Sequence, residues 1–131
     1  MTRDTDRTTF LRRSLLLDGV ASAACGALLL VAARPISTLI GLDAPGIAIA
    51  VGVGLLVYAA ALFWNARRSR ISRGEVLTAV VLNAVWVAAS LVLIVDGPLT
   101  MPGNVLVAAV ALAVLLFAVL EAIGLRRLRE A

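Results

Sequence analysis

The chain has 131 residues, 62% of them hydrophobic, and a net charge of +4 in which every basic residue is arginine. A soluble domain averages about 45–50% apolar residues, and a chain this short keeps too much surface exposed to hide such an excess, so lipid is the expected solvent. With no histidine and one cysteine, Cys25, histidine-ligated haem, the usual zinc sites, histidine acid–base or nucleophilic chemistry and an internal disulfide are all excluded.

Residues 1–13 carry Arg3, Asp4, Asp6, Arg7, Arg12 and Arg13 without periodicity, and read as a polar tail that frays. Apolar spans follow at about 14–33, 44–66, 75–95 and 102–125, within one domain over 14–127, and residues 128–131 form a second short tail. Arg34-Pro35, Arg67-Arg68, Asp96-Gly97-Pro98 and Arg126-Arg127 end the four spans in turn. Each span is close to the ~20 residues that cross ~30 Å of hydrocarbon, and each must be helical because lipid offers no partner to a bare peptide group. The predicted fold is therefore an all-α, up-down-up-down membrane four-helix bundle.

The link from Pro35 to Pro45 is too apolar for a free loop and predicts a short helical turn on the outer interface. The link from Asp96 to Gly103, rich in Gly and Pro, predicts a plain turn. Arginines divide eleven to one between the two sides: residues 1–13, 67–73 and 126–131 hold eleven, and the opposite side holds Arg34 with the acids Asp43 and Asp96. Positive residues stay inside, so both termini are expected on the cytoplasmic face of a cell inner (plasma) membrane. Anionic lipid headgroups, not nucleic acid, are the expected counterions.

Arg12-Arg13-Ser14 and Ser22-Ala23-Ala24-Cys25 faintly suggest export signals, but the apolar run continues past Cys25 and Asp18 interrupts it, so cleavage is not expected. Asp18-Gly-Val-Ala and Asn83-Ala-Val-Trp occupy matching places in the two helical hairpins. That match reads as chance between alanine-rich helices ahead of a decayed parallel repeat.

Polar residues inside a span are costly and need a reason. At 1.5 Å per residue, Asp18 and Glu121 lie roughly 6–7 Å inside the arginine-rich edge, and Ser22, Tyr58 and Asn83 roughly 12–15 Å. All four spans contribute to this set, and all five residues fall in one half of the membrane. The expected arrangement is an interhelical ion pair between Asp18 or Glu121 and Arg12, Arg13, Arg126 or Arg127. The alternative is a polar pocket in which the two carboxyls bind a cation or carry protons. Asn83, Trp86 and Ser90 share one helical stripe: Asn83 is expected as interhelical glue, and Trp86 as bundle packing or the wall of a ligand cavity. Trp64 and Phe63 read as an interfacial anchor. Gly19, Ala23 and Ala27, with Ser22 and Gly26, and in the second span Ala48/Gly52 and Ala50/Gly54, are small residues at four-residue spacing that favour tight packing of the first two spans. No metal, cofactor or phosphate motif is present; Gly52-Val-Gly54 lies inside a span.

Leu17-Asp18-Gly19, Leu82-Asn83-Ala84-Val85-Trp86 and Leu120-Glu121-Ala122-Ile123-Gly124-Leu125-Arg126-Arg127 resemble stretches of small four-span bacterial inner-membrane proteins. The resemblance implies the fold and carries no activity. Small multidrug resistance transporters are similar in length and span count, but their hallmark is a glutamate near the middle of helix one. Asp18 is shallow and the charge bias here is strong, so that likeness is superficial. The expected function is an accessory, scaffold or regulatory membrane subunit, not an enzyme, with a second copy or another membrane protein as its partner. A proton-coupled transporter of a small solute or cation using Asp18 and Glu121, and a lipid or apolar-ligand binder using Tyr58, Asn83 and Trp86, are the alternatives.

Overall fold

A computed structural model describes residues 2–42 and 44–129. Asp43, Met1, Glu130 and Ala131, assigned above to the outer loop and the two tails, lie outside the described residues. The elements are α1 (Thr2–Val31), α2 (Ala33–Ile40), α3 (Pro45–Arg67), α4 (Arg73–Asp96) and α5 (Met101–Arg129). Four of these five helices are long and apolar enough to cross a membrane.

The burial pattern is that of a protein dissolved in lipid. Asp18, Asn65, Asn83, Ser90 and Glu121 are buried, while Leu17, Val31, Val57, Val95 and Leu112 are exposed. Large apolar side chains on the outside and polar ones within are stable only where the surroundings are hydrocarbon. The chain is a multi-pass membrane protein. Trp64 points outward, 65% exposed, whereas Phe63, expected beside it as part of an anchor, turns inward onto Gly19 of α1.

The tail expected to fray is instead the first turns of α1. Thr and Asp are poor helix formers alone, but tertiary contacts hold this segment. The Arg127 guanidinium sits 4.8 Å from the centre of the Phe10 ring, and Leu11 lies against the Gly124 backbone of α5. Arg12 donates to the carbonyls of Ala66 and, at 2.9 Å, Arg68. It thereby satisfies carbonyls that the end of α3 leaves without helical partners. Arg73 does the same for α5, donating to Leu128 O at 3.0 Å. Some of the arginines that bias the charge thus also cap helix ends.

The turn between α3 and α4 is pinned by a buried side chain. Asn65 Oδ1 accepts from Ser72 N at 2.8 Å, and Asn65 Nδ2 donates to Ser72 O at 3.3 Å. Ser72 Oγ accepts from Glu75 N at 3.3 Å and caps α4. Asn65→Ala leaves the Ser72 backbone unpaired beside the core and should cost about 2 kcal/mol locally. Tryptic cleavage at Arg68 and Arg70 should then run roughly 30-fold faster if it tracks local opening. Timed proteolysis of both forms in the same lipid checks this.

The apolar link at 35–45 does contain a helix, α2, with Pro35 in its first turn, where proline costs no hydrogen bond. Gly41 ends α2 at φ 89°. Its N–H reaches Thr38 O at 3.3 Å, and Leu42 N reaches Ser37 O at 3.1 Å, closing a Schellman motif. The Gly/Pro link before α5 is more than a plain turn. Thr100 N donates to Ile40 O at 3.1 Å and Thr100 Oγ1 to Leu39 O at 2.6 Å, while Thr100 Oγ1 accepts from Gly103 N at 3.1 Å. One threonine therefore caps α5 and ties it to the end of α2.

The helices form two hairpins. α1 packs on α3, α4 packs on α5, and the hairpins meet along α1 and α5. On the opposite side α3 and α4 have almost no backbone contact. The bundle is closed along one seam and open along the other.

Candidate functional site

Asp18 is the centre of the polar cluster. It faces inward from α1 at 3% exposure, and its carboxylate collects donors from three helices. Ser22, one turn on, donates to Oδ1 at 3.2 Å. Tyr58 of α3 reaches Oδ2 at 2.9 Å, and Asn83 Nδ2 of α4 reaches the same oxygen at 3.2 Å. The Tyr58 hydroxyl also lies 3.0 Å from Asn83 Oδ1. With one proton, it donates to one of these acceptors at a time. Tyr58, Asn83 and Asp18 thus bridge the open seam by side chains where the α3 and α4 backbones stand apart.

Glu121 is the odd member. It is fully buried on α5 at 0% exposure, and neither carboxyl oxygen meets a hydrogen-bond donor among the described residues. It faces the Asp18 carboxyl, which is another acceptor. Among the described residues the ion pair expected from sequence is not formed. The donors to Asp18 are Ser22, Tyr58 and Asn83, not an arginine, and Arg12 is engaged with the end of α3. Arg127 of α5 lies over the Phe10 ring of α1.

The structure thus brings Asp18, Ser22, Tyr58, Asn83 and Glu121 into one cluster and places Trp86 outside it. Trp86, nearly one turn along α4 from Asn83, lines a cavity of about 260 Å³ in the half of the bundle away from the arginine-rich end. α1 contributes Cys25 and Leu29, α2 contributes Ile36 and Ser37, and Val51 and Val110 come from α3 and α5. Ser90 also lines it, but its hydroxyl already donates to Trp86 O at 2.8 Å. Among the described residues no charged side chain lines the cavity. Sequence reasoning missed α2 as a wall of this space. The available signal was the Ile36-Ser37…Ile40 pattern, which puts three residues on one face of a helix too short to span.

Among the described residues no group of acidic, cysteine or histidine side chains is arranged to hold a metal ion. The fold and its buried groups define a multi-pass membrane protein with an internal carboxyl cluster and a separate apolar cavity. The chain matches no protein-family model, no curated protein and no solved structure.

Proposed function

We propose that this protein binds a small neutral apolar molecule that enters sideways from the bilayer between α3 and α4 and rests beside Trp86. The observation that carries this reading is the cavity of about 260 Å³ at the open seam. Its size is near the lower end of ligand sites, roughly 300–1,000 Å³. It therefore suits a small molecule, or one chain of a larger one. A lining without charge would recognise no ionic headgroup, and a buried ion there would go unpaired. The eleven-to-one arginine bias supports an orientation with both termini cytoplasmic in a bacterial inner membrane, with anionic headgroups against the arginine-rich end. An accessory or scaffold role through helix–helix contacts draws on the exposed apolar faces, which lipid covers equally well. The cavity favours a ligand.

Trp86 fluorescence tests the proposal in nanodiscs, because Trp64 is the only other tryptophan. In a Trp64→Phe background, a brominated alkane should quench Trp86 saturably. Val110→Phe, which fills the cavity, should leave only weak, non-saturating quenching. Trp86 quenching that rises linearly, like that of lipid-facing Trp64 in a Trp86→Phe background, would overturn it.

A further inference from the structure

The carboxyl cluster needs a separate explanation, because the apolar cavity does not use it. Three protonation states are open to Asp18 and Glu121, and the surrounding donors distinguish them. With both ionised, two like charges face each other inside the bundle with no arginine on either, and Glu121 has no donor at all. Buried like charges without a counterion are strongly disfavoured. With both protonated, Asp18 would direct an O–H into a shell that already points hydrogens at it. The Asn83 Nδ2 hydrogen aimed at Oδ2 would weaken against a neutral acid. With one proton, the like-charge conflict is removed and one Glu121 oxygen gains a partner. Asp18 remains the acceptor for Ser22, Tyr58 and Asn83, and Glu121 becomes a donor to it.

We propose that Asp18 and Glu121 form a one-proton binding site, with the proton carried on Glu121 and donated to the Asp18 carboxylate across the α1–α5 seam. Loading forms one O–H bond at a Glu121 carboxyl oxygen and neutralises one charge; no electrons move. The proton comes from water at the arginine-rich end, which the cluster is nearer. Among the described residues, the titratable groups facing Glu121 are Asp18 from α1 and Tyr58 from α3; α4 contributes the neutral Asn83. A metal cation fits the site poorly. Hard cations take about six oxygen ligands, whereas Ser22, Tyr58 and Asn83 turn hydrogens towards Asp18 and leave few oxygens free. The proton also sits where the hairpins are tied, because Asp18 Oδ2 holds Tyr58 of α3 and Asn83 of α4 together.

Infrared spectroscopy of the full chain in nanodiscs at neutral pH reads the proton directly. The expected result is the carbonyl stretch of one protonated carboxyl per chain. It should shift when glutamate carboxyls are isotope-labelled and stay fixed when aspartate carboxyls are. Glu121→Gln, whose amide can donate as the protonated acid would, should abolish the band, and Glu75→Gln should leave it intact. No protonated carboxyl in the wild-type spectrum would overturn the proposal, as would a band that follows aspartate labelling. Loss of the band in sodium chloride but not in choline chloride would reassign the site to a cation and overturn it equally. The labelling and salt arms use only the wild-type chain, so they decide the matter even if Glu121→Gln fails to fold.

Discussion

Gly26→Leu and Gly52→Leu should each separate α1 from α3, costing about 3 kcal/mol or more. A Cβ added at Gly26 would stand 2.8 Å from Gly52 O, and one added at Gly52 would stand 2.9 Å from Gly26 O. The clash is reciprocal and its partners are backbone atoms, so no side-chain rotation relieves it. Lipid gives helices no hydrophobic reason to associate, and close backbone approach supplies much of what replaces it. Pushing the helices apart forfeits dispersion along the whole contact as well as at the new side chain. Even Gly26→Ala should cost about 1–3 kcal/mol. A Cβ added at Gly54 would meet nothing within 4 Å, so Gly54→Leu should leave stability unchanged. Unfolding in mixed micelles of increasing denaturing-detergent content ranks the four proteins. Equal midpoints for Gly52→Leu and Gly54→Leu would show that the α1–α3 contact lies elsewhere.

That pair also marks where the sequence stops being informative. Ala48/Gly52 and Ala50/Gly54 are equivalent small-residue patterns, and only the first is buried. Which face of α3 meets α1 is set by packing along the whole interface, and periodicity in an apolar span does not record it. The four spans and α2 were legible because lipid demands long apolar helices, and because an apolar link that cannot span must fold against something. The buried polar set was legible for the same reason: each such group is conspicuous in hydrocarbon. Its wiring was not. Pairing acids with arginines follows from proximity in depth, but Arg12 caps the end of α3 and Arg127 lies over Phe10 instead. The α1 tail escaped notice because its helix is held by contacts with α3 and α5, not by its own propensities.

The matching stretches at Asp18 and Asn83 gain meaning from the fold. Read as chance, they predict no special relation, yet Asn83 donates to Asp18 at 3.2 Å. Two hairpins related by an axis along the membrane normal would bring such residues together. The same relation would make α4 and α3 the counterparts of α1 and α5. The latter pair is packed and the former is open, so the arrangement departs from symmetry at the seam that leads to the cavity. Tyr58 closes the departure on one side with its hydrogen bonds to Asp18 and Asn83.

Asp18→Leu should accordingly be the most damaging change in the polar cluster, and Asp18→Asn should be tolerated. Leucine removes the acceptor for three donors, but the losses differ. Tyr58 still has Asn83 Oδ1 at 3.0 Å, and Ser22 can turn to the carbonyl of residue 18 four positions back. The Asn83 Nδ2 hydrogen has no such substitute, and Glu121 loses the group it faces. An orphaned buried donor costs about 1–3 kcal/mol in water-soluble proteins, while interhelical hydrogen bonds in membranes average about 0.6 kcal/mol. A total near 2–4 kcal/mol follows when the branched apolar side chain must also fit a polar gap. Asparagine keeps the shape and one acceptor oxygen, and its amide offers Glu121 the donor it lacks, so the loss should stay below about 1 kcal/mol. Unfolding midpoints in the same micelles separate the two. Equal losses would mean that the charge of Asp18, not its hydrogen-bonding shape, holds α3 and α4 across the open seam. A large loss for leucine alone would mean that the cluster works as a fitted network, in which a carboxylate and an amide are interchangeable for stability and differ only in the proton they let Glu121 keep.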